Sequence, residues 1–98
     1  MLEDLTLATF AERLGETFRV ADGARVLELR LVDASPGPSP TATPQGRVPF
    51  SVVFLGPAEP VLPQRIHRFD NDALGSFEIF IVPLGPADEG MRYEAVFA

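Results

Sequence analysis

A chain of 98 residues with 46% apolar content has room for one domain and one core, and burying only roughly 60 to 70% of its unfolded surface leaves partner contacts as a way to add stability. Its net charge of −6 comes from fourteen acidic residues against eight basic ones, all of them Arg; this balance repels phosphate backbones and anionic bilayers, so neither nucleic acid nor membrane insertion is expected. With no Cys there is no disulfide framework, no thiolate metal site and no cysteine nucleophile.

Met1-Leu2-Glu3-Asp4 is acidic where a signal peptide is basic, and no apolar run approaches the ~20 residues of a membrane span. The expected location is the cytoplasm, or export as part of an assembly without a cleaved signal. Apolar residues at Leu7, Phe10, Ala11 and Leu14 follow helical spacing, with Thr6 as N-cap and Gly15 as the stop. A helix of about two turns cannot stand alone in water, so Leu7, Phe10 and Leu14 are expected to dock on a sheet.

From Glu16 the period changes to two. Thr17 to Val20 predicts a short strand, residues 21–24 a turn around Gly23, and Arg25 to Val32 a strand with Leu27, Leu29 and Leu31 opposite Glu28 and Arg30. Ser35 to Gly46 carries Pro36, Pro38, Pro40 and Pro44 and nothing apolar larger than Ala42, which predicts a mobile surface loop over 35–46. A recognition arm in polyproline II form is the alternative there.

Val48 to Leu55 returns to strand, with Phe50, Val52 and Phe54 on one face and Val53 and Leu55 on the other. A strand over Arg65 to Asp70 and a turn over Asn71 to Gly75 lead into Ser76 to Val82, where Phe77, Ile79 and Ile81 oppose Glu78, Phe80 and Val82. The last strand, Met91 to Phe97, sets Met91, Tyr93, Ala95 and Phe97 against Arg92, Glu94 and Val96. Leu55-Gly56-Pro57-Ala58-Glu59 and Leu84-Gly85-Pro86-Ala87-Asp88 echo each other and are read as the same turn chemistry used twice, each opening a connection to the next strand, with a duplicated hairpin as the alternative. The expected core is Leu27, Leu29, Leu31, Phe50, Phe54, Phe77, Ile79, Ile81, Tyr93 and Phe97, with Phe10 and Leu14 docking from the helix.

Chemistry-bearing patterns are sparse. His67 is the single histidine, it lies mid-strand without a Gly-x-Ser-x-Gly elbow, and zinc would need further ligands, so it reads as a structural residue. Asp70-Asn71-Asp72 with Gly75 begins like a calcium loop, but Leu74 and Ile81 stand where oxygen ligands belong, and a hairpin turn is the better reading. Asp88-Glu89 and Glu59 are expected on loops at one end of the sheet, where paired carboxylates could do acid–base work, but solvated acidic loops are the better reading, and no glycine pattern matches a phosphate cradle. No catalytic residue, metal ligand or cofactor is therefore expected, and the chain is not read as an enzyme.

Leu5-Thr6-Leu7-Ala8-Thr9-Phe10, Leu14-Gly15-Glu16-Thr17-Phe18, Pro49-Phe50-Ser51-Val52-Val53-Phe54, Leu62-Pro63-Gln64, Leu74-Gly75 and Gly90-Met91-Arg92-Tyr93-Glu94-Ala95-Val96-Phe97 resemble a family of small bacterial domains of unknown function, of roughly this length. The resemblance covers nearly the whole chain and brings no catalytic residues. It implies an association with tail-collar or microcystin-dependent-type fibre proteins, and so a place in a phage-tail-like or fibre assembly. Where that family often has a Tyr and a His-Pro pair, this chain has His67 and Asn71-Asp72.

The expected architecture is one all-β domain over residues 1–98, a small antiparallel barrel or two-layer sandwich of about six strands, with a short N-terminal helix over an open end or edge. Its expected role is a non-enzymatic structural or adaptor subunit, with a protein partner or a homo-oligomer; the alternative is a β-barrel that binds an apolar small molecule. One antiparallel sheet ordinarily needs a single apolar face. Val53, Leu55, Phe80 and Val82 supply a second one and are the candidate interface, unless they pack under the helix or across a sandwich.

Overall fold

Thr6 opens the first element by capping it: its Oγ1 accepts from the Thr9 N–H at 3.3 Å while its own N–H donates to Thr9 Oγ1 at 3.1 Å. The computed structural model describes residues 5–37 and 48–97, and helix α1 spans Leu7–Ala11. It is shorter than the two turns its spacing suggests. The reason lies in the backbone, because Gly15 N–H donates to the Leu31 carbonyl at 2.8 Å and Leu31 N–H donates to the Glu16 carbonyl at 3.0 Å. These sheet-like bonds draw the chain out of the helix before Leu14, which is 50% exposed and does not dock.

Six strands follow: β1 (Thr17–Asp22), β2 (Arg25–Pro36), β3 (Phe50–Gly56), β4 (Arg65–Asn71), β5 (Gly75–Ala87) and β6 (Gly90–Phe97). They close into an antiparallel barrel in the order β1-β2-β3-β6-β5-β4, with β4 returning to β1 through Arg19↔Asp70 and Val20↔Phe69. The architecture is thus the barrel and not the two-layer sandwich. Each half is a three-stranded meander. Gly23, at φ 63°, makes the tight turn between β1 and β2 that its lack of a Cβ permits.

Two strands run further than their composition suggests. Ser35 and Pro36, expected in the loop, belong to β2 and pair with Ser51 and Phe50. At that end β2 has outrun β1, whose pairing stops at Thr17↔Arg30, so the missing Pro36 N–H leaves no ladder bond unmade. β5 does the same past Ile81, where pairing with β4 ends and only β6 remains alongside. Pro83 and Pro86 are accommodated there, with a bulge between Pro83 and Gly85. The Gly85-Pro86 pair consequently lies within a strand, whereas Gly56-Pro57 opens a true connection to β4; the two echoes are not the same turn. The rest of the Pro-rich segment, 38–47, lies outside the described residues.

Inward positions fill the barrel with side chains. Phe18, Val20, Leu29, Leu31, Val52, Phe54, Phe69, Ile81 and Tyr93 are fully buried. Phe10 plugs one end, its ring centroid 5.4 to 6.3 Å from those of Phe18, Phe50, Phe77 and Phe97. Leu62, in the β3–β4 connection, closes the other end and donates its N–H to the Tyr93 hydroxyl at 2.9 Å. Ten of the expected core residues occupy this interior or its margin, Phe77 being partly buried. Phe18, Phe69 and Leu62 join them although none was singled out for the core from the sequence.

Candidate functional site

Among the described residues the inward strand positions are buried, and the outward positions form the wall. Strand alternation that sends Phe50, Val52 and Phe54 inward sends Ser51, Val53 and Leu55 outward, and the same rule turns Phe80 and Val82 out of β5 and Arg92, Glu94 and Val96 out of β6. Register then decides which of these meet. Val53 and Val82 both pair with Glu94, one on each side, and Leu55 pairs with Arg92. Three of the four candidate interface residues are therefore grouped about β6. Phe80 lies two residues along β5 from Val82 and pairs with Ile66 of β4.

Exposure varies within the group. Val53, Leu55 and Val82 are half-buried, while Phe80 is 48% exposed beside Ile66 at 61%, and Val96 on β6 is 67% exposed. Helix α1 does not cover them, since it packs on β2 and β3 with Phe10 in the barrel end. Nor does a second sheet, because the barrel is closed and this is its outside. Ile66 and Val96 were not singled out from the sequence. Alternation held the signal in both cases: Ile66 opposes inward His67 and Phe69, and Val96 opposes Tyr93 and Phe97.

The charges on the outer wall fall into two kinds. Arg19 pairs with Asp72 at 2.9 Å, Arg25 and Arg65 share Asp22 at 3.1 and 3.5 Å, Arg13 pairs with Glu16 at 3.1 Å, and Arg68 approaches Asp70 at 3.9 Å. Among the described residues, Arg30, Arg92, Glu94, Glu28 and Glu78 make no ion pair, and Asp33 has only the Ser35 hydroxyl, at 2.6 Å. Four of these six, Arg30, Arg92, Asp33 and Glu94, flank Val53 and Leu55 in register: Arg30↔Leu55↔Arg92 forms one row, and Asp33↔Val53↔Glu94 the next.

The remaining candidates are occupied with local structure. His67 is buried and its Nε2 lies 2.8 Å from the Pro63 carbonyl, so its ring engages the β3–β4 connection and not a hydroxyl. Asn71 Oδ1 accepts from the N–H groups of Ala73 and Leu74 at 2.9 and 3.0 Å, which builds the β4–β5 turn, while its Nδ2 donates to Thr17 O and Glu16 Oε1. Asp70 is held by the Ser76 hydroxyl and Asp72 by Arg19. Glu59, Asp88 and Glu89 are exposed, and Glu89 lines a surface cleft of ≈ 310 Å³ with Glu28 and Arg30. A second cleft, of ≈ 480 Å³, is walled by Arg13, Glu16, Arg19, Asn71 and Asp72, whose polar ends are already bonded to one another. Among the described residues, no helix is long and apolar enough to cross a membrane.

A family of known sequence pattern matches the chain over residues 5–97, from the residue before the helix cap to the end of β6. The chain belongs to the DUF6916 family, a domain of unknown function. No curated protein and no solved structure matches it. The DUF6916 match spans both plugs, every strand and the outer rows, so the candidate surface is carried by the domain itself and not by an appendage.

Proposed function

We propose that this DUF6916 domain is a non-enzymatic structural or adaptor subunit that works through protein–protein contacts on the outer wall of β3, β6, β5 and β4. The observation that carries the reading is the exposure of Phe80 and Ile66, paired across β5 and β4, and of Val96 on β6, large apolar side chains turned to solvent on the outside of the barrel. A solvated antiparallel wall is normally polar. A phage-tail-like or fibre assembly is the context implied by the family resemblance, and rests on that alone.

The alternative, a barrel holding an apolar small molecule, is weighed down by the interior itself. Phe50 stacks on Phe97 at 4.6 Å and Phe54 lies 5.0 Å from Phe69, so aromatic rings fill the space that a ligand would take. The test is recovery of the tagged chain from its own cells under gentle conditions, followed by light scattering and native mass spectrometry. The expected result is a mass above that of the monomer with no small-molecule adduct. A monomer carrying a stoichiometric apolar adduct would favour the alternative.

A further inference from the structure

We infer that the β2–β3–β6 part of the outer wall is a self-complementary contact that takes a second copy of this chain about a two-fold axis. This rests on reading the outer wall as a contact surface and names one of its partners. Two rows of side chains make the surface self-complementary. Arg30, Leu55 and Arg92 stand side by side across β2, β3 and β6, and Asp33, Val53 and Glu94 stand side by side one pleat repeat further along. On β6 the two rows are two residues apart, which is about 6.8 Å along the strand.

Each row is thus charged at both ends and apolar in the middle, one positive and the other negative. A two-fold axis lying in the contact plane, perpendicular to the strands and passing over Tyr93, reverses strand direction and exchanges the rows. Arg30 then faces Asp33 of the second copy, Leu55 faces Val53, and Arg92 faces Glu94, with every pair made twice. An axis over β3 parallel to the strands would instead set Arg92 on Arg30 and Glu94 on Asp33, and is disfavoured by repulsion. The intramolecular facts agree with this pattern, since these four charges, unlike the arginine–carboxylate pairs elsewhere on the wall, have no ion-pair partner within the described chain. In a chain of net charge −6, two unpaired arginines beside an apolar strip are placed to meet carboxylates from outside.

Strong barrel curvature limits such a contact to about three strands, roughly 14 Å wide at the usual strand spacing, which belongs with small, reversible interfaces. Phe80 and Ile66, on the next two strands round, stay outside it. The purified chain should therefore show a concentration-dependent monomer–dimer equilibrium in sedimentation velocity. Glu94→Arg alone and Arg92→Glu alone each place like charges across the axis twice, and each should weaken the dimer by about tenfold or more. Combining the two exchanges the β6 charges, restores opposite signs across the axis and should return the dissociation constant to within about threefold of the original. Circular dichroism of each variant confirms the fold.

A chain that stays monomeric up to roughly 1 mM, a dimer indifferent to the single reversals, or a double variant no better than the singles would overturn the two-fold contact. None of these results touches the wider reading, which is tested separately by the mass of the chain recovered from its own cells.

Discussion

The backbone N–H of Leu62 donates to the Tyr93 hydroxyl at 2.9 Å, with both residues fully buried at the barrel end opposite Phe10. One side chain of β6 thereby fixes the connection between β3 and β4 and seals the core. Tyr93→Phe removes the acceptor and keeps the ring, leaving a buried N–H without a partner. The expected loss is ~1 to 3 kcal/mol in urea unfolding. An unchanged midpoint would mean that water replaces the hydroxyl and that this end of the barrel is open.

The two ends of α1 should respond differently. Phe10→Ala empties the plug among four aromatic rings and should cost ~3 to 5 kcal/mol, whereas Leu14→Ala should stay within ~0.5 kcal/mol. Equal losses in denaturant titrations would place Leu14 in the core after all.

This contrast shows what the sequence made legible. The period-two runs located all six strands and the inward faces of β2, β3, β5 and β6, because alternation is a local consequence of the pleat. Where Leu14 went depended on Gly15 and Glu16 bonding to Leu31, a residue of another strand, and no local pattern encodes that. The reach of β2 to Pro36 and of β5 to Ala87 was hidden for the same reason: a proline is acceptable in a strand only on a side without a neighbour, and which strand outruns which is a property of the closed barrel. For the candidate surface, Val53, Leu55, Phe80 and Val82 were readable as outward and apolar. The grouping of Val53, Leu55 and Val82 about β6, and the charged rows beside them, required the register.

Gly90 is held at φ 150°, and a Cβ there would collide with the Gly56 carbonyl oxygen across the β3–β6 pair. Gly90→Ala should therefore destabilise the fold by roughly 1 to 3 kcal/mol, through strain and a forced separation of the strands. A thermal midpoint at or above that of the parent chain would contradict this close approach.

Gly37 N–H donates to the Pro49 carbonyl at 2.9 Å, next to the last ladder pair Pro36↔Phe50, so the flanks of the Pro-rich segment are tied together by the hairpin itself. Replacing Ser39 to Thr43 by a short Gly/Ser link should leave the unfolding midpoint nearly unchanged, because loop length enters closure entropy only logarithmically. Unfolding or aggregation of the shortened chain would make the segment a packed element. An intact fold with a lost partner would support the recognition-arm reading.

The most direct measurement for the outer wall as a contact surface is Phe80→Asp, followed by denaturation of the purified chain and the mass of the chain recovered from its own cells. Phe80 is 48% exposed on the outside of β5, so a carboxylate there stays hydrated and the unfolding midpoint should match the parent within ~0.5 kcal/mol. The recovered mass should fall because an apolar contact has been replaced by a charge that the partner does not match. A Phe80→Asp chain that unfolds, or one that keeps both its stability and its assembled mass, would contradict the account.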